Sequence, residues 1–214
     1  MNGWAANIHA WDLCSFARER LFSYVDELDG LPDKALSAEP GRVLVVGWSM
    51  GGSYALRLAC RHPGKVAGLV LLAATPRMMA ERESGWDGMT PRRLEALNYG
   101  LRLTRGAGFF GTPEGVGNPY DATDSANLDR GLKYLLETDL RSELERTFKS
   151  RPCPPAAILQ SEKDGIVRPS NAAYLSRVFP SAKLTMLPGP EHAIPLSAPR
   201  LVDLAVEETL ALIG

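Results

Sequence analysis

The chain has 214 residues and a formal net charge of −1 at pH 7, from 24 Lys or Arg and 25 Asp or Glu. Its 45% apolar and 23% charged residues are typical of a globular protein and argue against disorder. The near-zero charge argues against nucleic-acid binding, because phosphate contacts need an excess of Lys and Arg. No apolar run is long enough to span a bilayer, and no secretory signal is visible. We therefore expect a cytoplasmic protein that forms one domain over residues 1–214.

The N-terminal part of the chain has a weaker secondary-structure pattern than the residues from Val43 onward. Trp11–Phe16 fits a short strand, and Leu21–Val25 fits either a strand or the beginning of a helix. Val43–Val46 is an unbroken apolar run, typical of a strand buried on both faces of a parallel sheet. A helical pattern over Ser53–Arg61 and a second buried run over Val66–Ala73 follow. This order indicates an α/β fold with a mostly parallel sheet flanked by helices.

Residues 76–150 have a different pattern, without a buried strand. Helices are predicted over Pro91–Arg105 and Leu128–Leu136, with a glycine-rich loop over Gly106–Tyr120 between them. We interpret this segment as a compact helical insertion, or lid, over the sheet. Beyond it the pattern predicts strands at Ala156–Leu159 and Lys183–Leu187 and helices at Asn171–Val178 and Ala198–Ile213.

Gly47-Trp48-Ser49-Met50-Gly51 is a G-x-S-x-G sequence between the first buried strand and the next helix. In this context the serine stands on a sharp, strained turn, with its hydroxyl above the carboxyl edge of the sheet. Side chains at either glycine would crowd the neighbouring strand and helix. We predict that Ser49 is a nucleophile; a glycine-rich turn with an incidental serine is the alternative.

A serine hydroxyl is a poor nucleophile until a base takes its proton, and the chain has three histidines. His62 lies where the helix stops, and His9 precedes the serine in the chain. His192 follows the last predicted strand, so it is the predicted base by elimination and by order.

The residue that orients the imidazole is expected between the nucleophile and the base. Asp164 lies in the loop after the strand Ala156–Leu159, where Gly165 would allow the turn. Its carboxylate would hold the histidine tautomer and stabilise the imidazolium. Asp139, which precedes that strand, and Glu162 are the rival acids.

An ester hydrolase also needs two main-chain N–H groups for the oxyanion. One should belong to Met50, the residue after the nucleophile. The candidate for the other is Trp4, since Gly3 permits a close approach of the backbone. An N-terminal aromatic without this role is the alternative.

These motifs resemble those of the α/β-hydrolase superfamily. Within it, the chain is similar to the biotin-synthesis carboxylesterases that act on the methyl ester of a pimeloyl group carried on acyl carrier protein. The resemblance covers nearly the whole chain and implies that Ser49, Asp164 and His192 form a triad and that Trp4 and Met50 supply the oxyanion donors. The matching segments are Gly3–Asn7 with Trp11, Gly47–Gly52, His62–Pro63, Thr138–Arg141, Asp164–Val167 and His192–Ala193.

The chain departs from this family at its N-terminus. The family has a buried strand ending in His-Gly before the oxyanion loop, whereas here Asn2 stands in the place of the histidine. We therefore expect the N-terminal strands to be truncated in this chain. Either its start lies inside a longer natural protein, which is the interpretation we favour, or the protein functions with a truncated sheet.

The lid has an excess of two positive charges between residues 77 and 105, which hold six arginines and four acids. Such a surface could attract an acidic acyl carrier protein; a solvated helix face is the alternative. The arginines proposed for docking are Arg92, Arg93, Arg102 and Arg105. Phe109 and Phe110, with Trp86, could line an acyl channel, or they could pack the lid.

The predicted function is hydrolysis of an acyl methyl ester by a serine carboxylesterase. A generalist short-chain carboxylesterase or thioesterase would share the triad, and a non-catalytic partner-binding protein could use the same fold. No metal-ligand cluster or dinucleotide fingerprint is present, so we expect no cofactor. The cysteines, Cys14, Cys60 and Cys153, are too far apart for a metal pair.

Overall fold

The computed structural model describes residues 20, 22–104 and 125–214. In this part of the chain four strands form one parallel sheet, in the order β1-β2-β3-β4. The strands are β1 (Val43–Trp48), β2 (Val66–Leu72), β3 (Ala156–Ser161) and β4 (Lys183–Leu187). The predicted α/β fold with a mostly parallel sheet flanked by helices is confirmed. The predicted strand Trp11–Phe16 and loop Gly106–Tyr120 lie outside the described residues.

Helices precede, separate and follow the strands. Those of the described residues are α1 (Tyr24–Leu28), α2 (Leu31–Ala38), α3 (Met50–Arg61), α4 (Pro91–Thr104), α5 (Ser125–Glu137), α6 (Arg141–Lys149), α7 (Pro169–Val178), α8 (Ile194–Ser197) and α9 (Pro199–Ile213). The helix α3 packs on β1 and β2, α7 packs on β3 and β4, and α9 packs across β1, β2 and β3.

The core lies on both faces of the sheet, and β2 shows why. All seven of its residues are buried, which explains its uninterrupted apolar sequence. Leu69 and Leu71 belong to the apolar cluster that includes α3 and α7, whereas Val70 and Leu72 belong to the one that includes α9. Alternate side chains of β2 therefore pack against the helices on opposite faces of the sheet.

Several element boundaries differ from the predictions. Of the two alternatives for Leu21–Val25, the beginning of a helix is confirmed in its described residues: α1 begins at Tyr24, where Ser23 and Asp26 form a capping box. The helix after β1 begins at Met50, one residue after the serine, and not at Ser53. The helices α2 and α6 were not predicted. Each is short, and α6 has one buried residue, so the apolar pattern that would reveal it is nearly absent.

The segment between β2 and β3 contains α4, α5 and α6. Its two ends meet, since residues 77 and 139 form an antiparallel bridge and the N–H of Leu140 donates to the carbonyl of Pro76 at 3.0 Å. The helices α4 and α5 pack together, while α6 packs against α3 and α7.

Candidate active site

The strand β1 ends one residue before Ser49, and α3 begins one residue after it. Ser49 has φ 55° and ψ −118°, a conformation that non-glycine residues rarely adopt. Its N–H donates to the carbonyl of Leu72 on β2 at 2.9 Å, which fixes the turn to the neighbouring strand. The strained turn therefore holds the serine at the carboxyl end of the sheet.

Close packing around this turn requires glycine. A Cβ on Gly47 would lie 2.5 Å from the carbonyl oxygen of Gly51 and 2.8 Å from Cα of Gly52. A Cβ on Gly52 would overlap Ala74 and lie 3.0 Å from its Cα. The crowding predicted at Gly47 is present, and Gly52, which the five-residue pattern does not include, is constrained in the same way.

The structure brings Ser49, His192 and Asp164 together. The Ser49 hydroxyl lies 2.9 Å from Nε2 of His192, and Nδ1 of His192 lies 2.8 Å from Oδ2 of Asp164. Ser49 is 6% exposed, His192 is 7% exposed and Asp164 is 1% exposed. The hydrogen bonds thus connect a hydroxyl, an imidazole and a carboxylate in one line, largely shielded from water.

Asp164 is held by its own loop, directly after β3. Its Oδ1 accepts the main-chain N–H groups of Ile166 at 2.8 Å and Val167 at 3.0 Å, which leaves Oδ2 facing the imidazole. Gly165 is not needed for this turn, because its φ is not left-handed and a Cβ there would meet no atom within 4 Å. The expectation that Gly165 allows the turn is therefore wrong.

Two side chains donate hydrogen bonds to consecutive main-chain carbonyls in the loop that carries His192. The Trp48 indole N–H donates to the carbonyl of His192 at 2.9 Å, and the Ser161 hydroxyl donates to that of Glu191 at 2.5 Å. Sequence analysis missed both contacts. Trp48 was notable only as part of the serine motif, and no local pattern marks Ser161, whose partner is 30 residues away.

The rival histidine and acids lie in other environments. His62 contacts Asp33, with Nε2 at 3.1 Å from Oδ1. Glu162 is exposed at the surface. Asp139 belongs to an ion-pair cluster, where Arg141 contacts its carboxylate at 2.7 Å and Arg77 is a second partner. Burial would raise the pKa of Asp139, but its hydrogen bonds with Arg141 and Arg77 hold that pKa at about 2.

The cysteines of the described residues are poor candidates for a second nucleophile. Burial raises the pKa of the Cys60 thiol to about 11, and it also raises the pKa of Cys153. The thiolate is the reactive form of cysteine, and at neutral pH it is scarce in such environments.

Met50 is the first residue of α3 and is fully buried. The first N–H groups of a helix have no acceptor within the helix, so that of Met50 can donate to an oxyanion beside Ser49. The other predicted donor, Trp4, lies outside the described residues, as do Gly3, His9, Phe109 and Phe110.

The arginines predicted for docking divide into two groups. Arg92 and Arg93 are exposed at the start of α4, and Arg93 donates to the carbonyl of Gly165 at 3.4 Å, beside Asp164. Arg102 is instead bound to Ser125 and, at 2.5 Å, to Asp129. Arg105 lies outside the described residues. Of the four arginines, Arg92 and Arg93 are therefore the two that are exposed within the described residues.

Trp86 packs within the base of the insertion. Its indole N–H donates to the carbonyl of Arg77 at 3.0 Å, and its ring contacts Tyr174 edge-on, with centroids 5.2 Å apart. The Arg141 guanidinium lies 5.0 Å from the centroid of the Trp86 ring. These contacts favour the packing alternative for Trp86 over a channel-lining role.

Neither a metal centre nor a membrane span is found in the described part of the chain. No three His, Cys, Asp or Glu side chains there cluster closely enough to hold a metal ion. None of the helices described is both long and apolar enough to cross a bilayer.

The chain is similar in sequence to known esterases. The pimeloyl-[acyl-carrier protein] methyl ester esterase of Nitrosomonas europaea is 28% identical over 231 residues, covering 93% of this chain and 89% of the relative. The protein of the same name from Nitrosospira multiformis is 29% identical over 188 residues, covering 80% of this chain and 69% of the relative.

Solved structures share the fold. An esterase from Exiguobacterium antarcticum superimposes with a TM-score of 0.76 at 19% identity, over 98% of this chain and 90% of the other. A hydrolase from Oleispira antarctica does so with a TM-score of 0.68 at 18% identity, over 88% of this chain and 75% of the other. The sequence model of the alpha/beta hydrolase family matches residues 3–204. The chain therefore belongs to the alpha/beta hydrolase family.

Proposed function

We propose that the chain is a serine carboxylesterase with Ser49 as nucleophile, His192 as general base and Asp164 as the residue that orients the imidazole. The observation that carries the proposal is the pair of hydrogen bonds at 2.9 Å and 2.8 Å that joins these three side chains at a strand-to-helix turn. The same arrangement of hydroxyl, imidazole and carboxylate activates serine in unrelated folds, so its geometry indicates its chemistry.

The reaction follows from this geometry in two stages. Nε2 of His192 takes the Ser49 proton while Oγ bonds to the ester carbonyl carbon, and the carbonyl oxygen becomes an oxyanion. The oxyanion then collapses, the bond to the alkoxy group breaks, and the imidazolium gives its proton to the departing alcohol. Water repeats the cycle on the acyl-enzyme, so that ester and water become acid and alcohol. Asp164 stabilises the imidazolium and does not itself take the proton.

The oxyanion is stabilised in this proposal by the N–H of Met50 and by that of Trp4. Removing one such donor typically costs about 3–4 kcal/mol of transition-state stabilisation. The position of Met50 at the first turn of α3 supports its part, because the helix N-terminus also favours negative charge.

The names of the relatives support a substrate class. Both are called pimeloyl-[acyl-carrier protein] methyl ester esterases, so we propose a methyl ester of a dicarboxylic acyl group on a carrier protein, with methanol as leaving group. The insertion over residues 76–150 would roof the acyl group, with Phe109 and Phe110 lining it. The exposed Arg92 and Arg93 would meet an acidic carrier.

The test compares three substrates with the purified chain: the pimeloyl-carrier methyl ester, the free monomethyl ester of pimelate, and a short p-nitrophenyl ester. The proposal expects the highest kcat/KM on the carrier-linked ester and no turnover by Ser49→Ala. Equal kcat/KM on all three would favour a generalist esterase. If a fluorophosphonate probe failed to label Ser49, the non-catalytic alternative would replace the proposal.

A further inference from the structure

Gln160 lies next to last on β3, four residues before Asp164, and is 1% exposed. A fully buried amide on a central strand is unusual, because its polar groups must find partners inside the protein. The contacts of this amide lead directly to the candidate active site.

The amide nitrogen of Gln160 faces three oxygens. It lies 3.3 Å from Oδ2 of Asp164, 3.1 Å from the carbonyl of Val167 and 3.3 Å from the carbonyl of Ser161. All three groups are acceptors, so the flipped amide, with its own oxygen in this place, would meet only repulsion. The orientation of the amide is therefore set by its neighbours.

The amide oxygen of Gln160 is in a less favourable environment than the amide nitrogen. This oxygen, Oε1, is buried and has no hydrogen-bond partner among the described residues. A buried acceptor without a partner destabilises the folded state, and this cost offsets part of the stabilisation that the N–H groups of Gln160 provide. The favourable contacts of the Gln160 side-chain amide are therefore those of its N–H groups.

We propose that Gln160 is a positioning residue for Asp164, an inference that rests on the proposed function. Oδ2 of Asp164 is the oxygen that receives Nδ1 of His192, and Gln160 is the other side chain of the described residues that donates to it. Through the carbonyl of Val167 the same amide also ties the acid loop to β3. The amide thus fixes both the carboxylate plane and the backbone that carries it, so that the imidazole keeps its tautomer and direction.

The experiment replaces Gln160 by Met, which keeps the length and removes the donor. For Gln160→Met we expect an unchanged KM for a p-nitrophenyl ester and a kcat about tenfold lower, a factor that corresponds to losing one hydrogen bond to a charged group. We expect a modest fall in Tm, because the carbonyl of Val167 also loses its donor. The matched control is Thr209→Val, which also removes a buried side-chain donor, the hydroxyl that donates to the Ala205 carbonyl within α9. This control should keep full kcat. Gln160→Leu, which also lacks the donor and carries no charge, serves the same test should Gln160→Met fail to fold.

A double-mutant cycle separates positioning from general damage. In the Asp164→Asn background, Gln160→Met should add less than a twofold loss in the rate of fluorophosphonate labelling, because its effect passes through the carboxylate. An undiminished kcat in folded Gln160→Met would overturn the inference. So would an equal loss in the rate of fluorophosphonate labelling when Gln160→Met is made in the wild-type chain and in Asp164→Asn. Full turnover by Ser49→Ala would instead overturn the proposed function, so the two failures are distinguishable.

Discussion

The indole N–H of Trp48 donates to the main-chain carbonyl of His192 at 2.9 Å, and the two rings lie with centroids 5.9 Å apart. The residue before the proposed nucleophile therefore holds the proposed base. This bond links the last residue of β1 to the loop after β4, two strands that are not neighbours in the sheet. The separation of Ser49 and His192 is fixed by this cross-connection as well as by the strands.

The first prediction concerns Trp48→Phe, which keeps an aromatic ring and removes this hydrogen bond. We expect the free energy of unfolding to fall by about 1–3 kcal/mol, the cost of losing one partner of a buried polar pair. We expect kcat for a p-nitrophenyl ester to fall with little change in KM, because the imidazole is less well placed. Urea unfolding and steady-state kinetics measure the two effects. A wild-type kcat would show that the strands alone position the base.

The second prediction concerns Asp164→Asn. The asparagine can still accept the N–H groups of Ile166 and Val167, so the loop should keep its shape. The imidazole would lose the carboxylate that selects its tautomer, and we expect kcat to fall by about 10⁴. Glu162→Gln, at an exposed neighbouring acid, is the control and should retain full activity. A loss of less than tenfold in Asp164→Asn would assign the orienting role to another group.

The sequence predicts the sheet and the candidate triad because both depend on local signals. The buried run of β2 follows from its position between two helical layers, and Ser49 follows from a motif that requires a strand before it and a helix after it. His192 and Asp164 follow from chain order. Ser161 and Gln160 could not be predicted, because their roles depend on contacts that only the folded sheet creates.

The third prediction compares two glycines near the candidate site. In Gly47→Ala the new Cβ would meet main-chain atoms at 2.5 Å and 2.8 Å, which cannot move aside. We expect a loss of about 1–3 kcal/mol in unfolding free energy, as for other overpacked sites, together with lower activity. Gly165→Ala is the matched control, since its Cβ would enter open space. Thermal unfolding of both variants tests the prediction, and equal Tm values would refute the steric argument.

The fourth prediction concerns recognition of a carrier protein. Arg92→Glu and Arg93→Glu reverse two exposed charges at the start of α4, and we expect a higher KM for the carrier-linked ester. The kcat/KM for a p-nitrophenyl ester should change less than that for the carrier-linked ester. Arg151→Glu is the control, because Arg151 is exposed ahead of β3, at the sheet end opposite Ser49. The difference between variant and wild type should shrink as salt is added. If all three charge reversals raised the KM for the carrier-linked ester equally, the carrier would be attracted by the overall charge of the protein and not by a defined docking surface.

The fifth prediction uses the ion-pair cluster that joins the ends of the insertion. The folded state holds the pKa of Asp139 at about 2, below the value of about 3.9 for a free aspartate. A lowered pKa means that the folded state prefers the ionised form, so Asp139 stabilises the fold fully above about pH 4. As the pH falls from about 4 to about 2, the unfolded chain binds the proton first and this stabilisation is lost.

Asp139→Asn should therefore lower the free energy of unfolding by about 1 kcal/mol at pH 7, a modest loss because the carboxylate is partly exposed and solvent screens it. The difference from wild type should close between about pH 4 and about pH 2. Urea unfolding over this range measures it. Asp203→Asn, at an acid on α9 without an ion pair in the described part of the chain, should show no such trend. A difference that persists at pH 2 would mean that packing of the asparagine, and not the charge of Asp139, destabilises the base of the insertion.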